Sequence, residues 1–277
     1  IEAGVGYRHE KVDERSREWE YRDSSGYSMP HNPEALEVIY NLRSSNEIAS
    51  NHLELYAQDT WRRETSKSIF SLNYGIRFSY WSWNGECLFS PRTSLTYIPK
   101  NHDNMTFRLA TGLYYQRPFY KELRDTVTSG ATTIVQLNKN IQSQRSFQVI
   151  AGYEYRFKLG KRPFLFSTEL YYKAQDRLNP YTVDNTKIVY YGRNCATGNV
   201  MGADFKLYGE FVPGTDSWLT FSLMRARMNL NGKNIPQPTD QTWSLNMFFS
   251  DYFPGTTRWK MNLKACFAGG LPFGAPH

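Results

Sequence analysis

The dominant pattern along the chain is an alternation with a period of two. From Phe70, the residues Phe70, Leu72, Tyr74, Ile76, Phe78 and Tyr80 are apolar or aromatic, and the interleaved Ser71, Asn73, Gly75, Arg77 and Ser79 are small or polar. Successive side chains of a strand point to opposite faces, so this stretch predicts a strand with one greasy and one hydrophilic face. Phe147, Val149, Ala151, Tyr153, Tyr155 and Phe157 repeat the pattern against Gln148, Gly152, Glu154, Arg156 and Lys158, and only Ile150 is out of place. The same rule predicts strands at 107–116, 164–174, 203–211, 243–252 and 259–267, with weaker ones at 1–8, 53–62, 89–97 and 219–228.

The connections alternate too. Those at 64–67, 98–104, 160–163, 213–216 and 254–257 are short and carry turn formers, whereas 13–50, 117–144, 175–199 and 229–241 are long and polar. Asn84-Gly85, a favoured hairpin dipeptide, makes the single tight connection in the second set. Short and long connections in turn predict an all-β, antiparallel up-and-down meander with the short turns at one end and the long loops at the other. The best helical candidate, Asn32 to Leu42, is expected as a helix inside a long loop.

About eleven strands, each presenting several large apolar side chains on one face, cannot leave that face in water, since each fully buried large side chain is worth ~1.5–3 kcal/mol. A soluble β-sandwich, an adhesin-like module binding glycan or protein, would cover the face with a second sheet and show the same alternation. Strand length favours lipid: several strands keep their alternation for ten residues or more, as a tilted bilayer-crossing strand requires. Trp61, Trp218, Tyr252 and Trp259 beside the short turns, and Tyr80, Trp81, Trp83 and Tyr115 beside the long loops, are expected at the membrane interfaces. The opposite face carries charges of both signs, which belong against water. Arg77, Arg92, Arg108, Tyr114, Gln116, Glu154, Arg156, Glu169, Lys173, Asp204 and Lys206 are the candidate lumen-lining or substrate-binding residues.

Composition narrows the classes further. The chain of 277 residues is 16% aromatic, which argues against disorder. Its mean hydropathy is −0.61, and no apolar run approaches the ~20 residues of a membrane-spanning helix. The formal charge of +7 does not choose a partner. The aromatics sit mainly on the face opposite the charges, unlike a single-strand nucleic-acid platform, so no nucleic acid is expected. Cys87, Cys195 and Cys266 are scattered, and the five histidines lack metal-ligand spacing. Neither a metal site nor a cofactor is expected, and catalysis has little support; an Asp/His site at the loop end, His52 with Asp59 for example, is the conceivable acid-base arrangement. The chain begins at Ile1 without a signal segment, as a mature protein or an excised piece would.

Several segments carry a resemblance: SPRTSLTYIP (90–99), FRLATGLYYQRPFYKEL (107–123), STELYYKAQDRLNPY (167–181), GADFKLYGEFVPGTDSW (202–218), DYFPG (251–255) and GLPFG (270–274). In order and spacing they resemble the barrel of TonB-dependent outer-membrane receptors, most closely the Bacteroidetes type. The resemblance implies a 22-stranded barrel in the outer membrane of a Gram-negative bacterium, closed by an amino-terminal plug, with short turns in the periplasm and long loops outside. It also implies energised import through the TonB complex of a small nutrient such as a siderophore, cobalamin, glycan or peptide. No plug, TonB-contacting box or terminal aromatic strand is recognisable, so residues 1–277 are expected to be a partial β-barrel domain of about eleven strands.

Overall fold

The computed structural model describes residues 1–21, 38–129, 132–184 and 187–272. Its strands are β1 (Glu2–Tyr21), β2 (Val38–Glu64), β3 (Ser68–Trp81), β4 (Glu86–Pro99), β5 (Met105–Gln116), β6 (Arg124–Ser129), β7 (Thr132–Leu137) and β8 (Gln144–Leu159). They continue with β9 (Arg162–Leu178), β10 (Tyr181–Asp184), β11 (Lys187–Tyr190), β12 (Ala196–Val212), β13 (Thr215–Leu230), β14 (Lys233–Pro236), β15 (Trp243–Tyr252) and β16 (Lys260–Ala268). A one-turn helix, α1 (Tyr120–Leu123), precedes β6. Strands β1 to β5, β8, β9, β12, β13, β15 and β16 form one wall in which each strand is antiparallel to the next. Each of the eleven predicted strands falls on one of these wall strands.

Register explains why the alternation works. Trp61, Leu72, Leu95, Leu109, Ala151, Leu170, Ala203, Leu223 and Trp243 are successive cross-strand partners, an unbroken apolar row over nine strands. One residue away on the other face, Arg62, Ser71, Thr96, Arg108, Gly152, Glu169, Asp204, Ser222 and Ser244 form a polar row. A register slip of one residue would exchange the faces, so the pattern fixes the pairing. The apolar face is open: Leu170 is 56% exposed and Leu109 50%, and among the described residues no second sheet lies over them. That disposes of the sandwich.

The apolar window is not level. On β2 and β3 it reaches up to Leu53 and Tyr80, but on β13 and β15 it stops at Leu223 and Trp243, whose row meets β2 at Trp61, eight residues lower. Eight residues at ~3.3 Å, across eight inter-strand steps of ~4.8 Å, correspond to strands tilted by ~35° to the membrane normal. This falls in the ~35–45° range of outer-membrane barrels.

The short connections stand where the sequence places them, and Gly160 and Gly214 adopt the positive φ (66° and 79°) that their tight turns need. The long connections hold more structure than expected. Residues 13–50 were expected as loop, yet β1 and β2 continue as a paired ribbon to Tyr21 and Val38. Along that part of β1 charged residues fall on both faces, as at Asp13, Glu14, Arg15, Arg17 and Glu18, so apolar periodicity could not reveal it. Residues 38–42 of the expected loop helix are strand, and its residues 32–37 lie outside the described residues. Segment 117–144 contains α1 and the β6–β7 hairpin, whose β7 adds to β2 in parallel at Leu42 and Arg43. Strands β10 and β11 form a separate hairpin, and β14 folds back on β13.

A single sheet has no interior between layers, so the buried apolar cluster lies at the long-loop end. Ile48, Trp81, Leu123 and Ile141 pack together, flanked by Val12, Trp83, Tyr120 and Leu137. They join the ribbon, the end of β3 and the 117–144 segment into a cap.

Candidate functional site

By register, all eleven candidate lumen residues share the polar face. Toward the short turns the charges neutralise one another: Arg108 Nη1 lies 2.7 Å from Glu154 Oε1, and Arg156 Nη2 lies 3.8 Å from Glu154 Oε2. Glu169 and Asp204 stand directly opposite each other, with Lys206 one position along the same face. Toward the long loops the balance changes. Arg92 Cζ lies over the Tyr114 ring, 4.4 Å from its centroid, and Lys173 Nζ sits 5.6 Å from the Tyr171 ring centroid. Among the described residues, no carboxylate lies within ion-pair distance of Arg77, Arg92 or Lys173. Gly112, the cross-strand partner of Arg92, leaves room for that stacking, because a Cβ there would lie 3.1 Å from Arg92 Cγ and from the Tyr114 ring. Tyr56, Gln58, Asn73, Arg77, Arg92 and Tyr114 border a hollow of about 390 Å³. Gln116 ends its row opposite Gln144, just below the cap.

The cap carries a second set of polar side chains, which alternation could not single out. His52 stacks on Trp81, with ring centroids 5.9 Å apart. Its Nδ1 lies 2.6 Å from Arg117 Nη1, and its Nε2 lies 3.1 Å from Glu10 Oε2. Arginine can only donate, so Nδ1 must be the acceptor and the imidazole proton sits on Nε2, facing Glu10. Glu86 accepts from the backbone N–H of Ser143 at 3.0 Å and from its hydroxyl, and lies 3.7 Å from Arg177 Nη1. Glu122, buried in α1, receives a hydrogen bond from Gln144 Nε2 at 3.4 Å, and burial raises its carboxyl above the usual range.

Desolvation lowers the His52 pKa below its usual value; Arg117 and Arg8 add to this, while Glu10 opposes it. His52 lies above the apolar window, where its outward neighbours Asn51, His9 and Ser82 are polar. A depressed histidine pKa means that the folded state resists a proton which the unfolded chain accepts, so its stabilising contribution is present above the unfolded pKa of ~6.5 and is lost as pH falls through the folded value. Amide protection of residues 117–123 should therefore fall between pH 7.5 and 5.5 after correction for intrinsic exchange, and His52→Gln should flatten the profile. Hydrogen exchange at matched pH values reads both.

The expected interface aromatics divide by parity. Trp61, Tyr80 and Tyr115 lie on the apolar face, and Trp259 stands exposed just before β16. Trp81, Trp218 and Tyr252 lie on the polar face: Trp81 pairs with His52 and is 5% exposed, Trp218 stacks on Phe248, and Lys260 Nζ lies 5.2 Å from the Tyr252 ring. Trp83 packs into the cap, with Lys139 over its ring. These four are corrected from lipid-interface to inward positions, because nearness to a strand end sets height whereas odd or even position sets the face. On the apolar face Phe70, Tyr97, Phe107 and Tyr153 form ring-to-ring contacts, as do Phe205 and Phe221 further along the same register row.

The His52 and Asp59 pair does not form. The two residues occupy opposite faces of β2, and Asp59 accepts a hydrogen bond from the Tyr74 hydroxyl at 3.1 Å. Among the described residues, no group of three or more His, Cys, Asp or Glu is placed to hold a metal.

A family model described as TonB dependent receptor-like, beta-barrel, matches residues 3–275. The chain belongs to this receptor β-barrel family. The outer membrane transporter YddB from Escherichia coli has a similar fold, with a TM-score of 0.56 at 14% identity over 96% of this chain. The chain spans 43% of that transporter's length. No curated protein matches the sequence. As a receptor barrel of this family, the apolar face is the wall against outer-membrane lipid and the polar face is the wall of the lumen. The matched family is one of receptors, and the similar structure is that of a transporter.

Proposed function

We propose that this receptor barrel captures a small anionic nutrient for energised import, with the cap and the upper lumen wall forming the ligand site. The supporting observation is the uncompensated charge of Arg77, Arg92 and Lys173 above the neutralised Arg108–Glu154 level. Guanidinium groups bind carboxylates and similar anions in two-pronged geometry, and Tyr56 and Tyr114 add aromatic surface beside them. Among siderophores, cobalamin, glycans and peptides, this favours ligands bearing carboxylate, catecholate or phosphate groups. The long loops lie outside the cell. The plug and the contact with the TonB complex come from other parts of a longer polypeptide, which also completes the barrel, because unpaired strand edges are not stable in hydrocarbon.

In the full-length receptor, Arg77→Ala with Arg92→Ala should weaken binding of an anionic ferric chelate about tenfold or more, the scale expected for losing charge-assisted hydrogen bonds. Equilibrium dialysis with ferric citrate, a ferric catecholate, cobalamin and a neutral oligosaccharide tests this. Retention of the oligosaccharide alone, equally by both proteins, would overturn the anionic reading.

A further inference from the structure

The lipid-facing wall carries a second feature that nutrient capture leaves unused. Leu109, Ala151, Leu170, Ala203 and Leu223 occupy one apolar row, and the small Ala151 and Ala203 alternate with leucines. The missing side-chain volume leaves a shallow apolar groove of about 600 Å³ centred on Ala203, bordered by Leu170, Tyr172, Met201 and Leu223. Arg225 stands at its upper end, directly opposite Met201 in the same row as Tyr172.

Arg225 is an unusual residue for this position. It lies on the apolar face, one step above Leu223, where the window ends on β13. A permanently charged guanidinium at that edge stands at headgroup level, where phosphate oxygens are its best-matched acceptors. Nearby arginines on the same face have an anionic partner: Arg145 pairs with Asp176, and Arg227 Nε lies 3.8 Å from Asp240. Among the described residues, Arg225 has no carboxylate within ion-pair distance.

We infer that this groove is a specific site for a phosphorylated, acylated lipid of the outer leaflet, with a phosphate on Arg225 and an acyl chain along Ala203 and Ala151. The hollow suits an acyl chain, because the side chains lining it below the arginine, Leu170, Ala203 and Leu223 among them, are apolar. Tyr172 lies on the same face, two strands from Arg225 in the same register row. The assignment to the outer leaflet rests on the proposed orientation, with the long loops outside.

The test uses the full-length receptor, delipidated in detergent and titrated by native mass spectrometry with bis-phosphorylated lipid A, dephosphorylated lipid A and phosphatidylglycerol. Wild type should prefer intact lipid A over the dephosphorylated form by about tenfold, the scale of one phosphate–guanidinium contact. Arg225→Gln should abolish that preference, and Ala203→Trp, which fills the groove, should weaken both forms of lipid A. Heat-modifiable mobility on gels confirms that each variant is folded. Equal binding of the two lipid A forms by wild type, or unchanged binding by Arg225→Gln, would overturn the site. A preference for phosphatidylglycerol over lipid A would overturn its leaflet. None of these outcomes depends on whether an anionic nutrient binds in the lumen.

Discussion

Phe221→Arg should destabilise the membrane-inserted receptor by about 2–4 kcal/mol, the cost of an arginine on the lipid face near mid-depth, while Ser222→Arg should change stability by less than about 1 kcal/mol. The two residues are neighbours in sequence and in height. Phe221 lies between Phe205 and Leu245 on the apolar face, midway between Leu219 and Leu223, whereas Ser222 lies between Asp204 and Ser244 on the polar face. An arginine at 221 would replace an aromatic ring with a charge that hydrocarbon cannot solvate, but at 222 it would gain Asp204 as a partner in a watery space. Chemical unfolding of the full-length receptor from lipid vesicles compares the two. Equal effects would show that the faces are not solvated differently, and with that the lipid-facing wall would fall.

Glu86→Ala should detach the cap locally, lowering amide protection across 117–144 by about a hundredfold while leaving β8 and β9 unchanged. Glu86 anchors the segment by accepting two hydrogen bonds from Ser143, which has no exposed surface, and it also faces Arg177. Alanine would leave a buried N–H and a buried hydroxyl unsatisfied, at ~1–3 kcal/mol each, so ~3 kcal/mol or somewhat more is expected for the pair. Glu86→Gln keeps one acceptor oxygen and should lose less. Hydrogen exchange resolved by peptide reports on cap and wall separately. Uniform loss of protection in both would mean that the cap is not an independent unit.

The wall was legible because its chemistry is one-dimensional. A lipid-facing strand must alternate, and Phe70 to Tyr80 or Phe147 to Phe157 declare face and length together. The five short turns were equally plain, because their geometry demands particular residues. Two kinds of feature escaped. In the ribbon of β1 and β2 above the window, Lys11 pairs across with Glu47 by charge, and neither face is apolar. The cap is built from residues far apart in sequence: Ile48, Trp81, Leu123 and Ile141 meet only after β6 and β7 fold over the strand ends. His52 and Glu86 were ordinary strand residues until that contact was made. The polar-face candidates were found as a set by parity, but their division into a neutralised lower level and a cationic upper one depends on cross-strand distances. The same parity, applied to Trp81, Trp218 and Tyr252, would have placed them inward.

The slope of the apolar window also separates depth from adjacency. Thr93, Thr111, Val149, Tyr172, Met201 and Arg225 are consecutive partners in one row, yet Arg225 stands at the rim while Thr93 is immersed near the middle of the bilayer. Side chains that are next-door neighbours along the hydrogen-bond ladder therefore climb like treads of a spiral stair, and a residue moved sideways along its own tread would change its solvent without changing its neighbours' order.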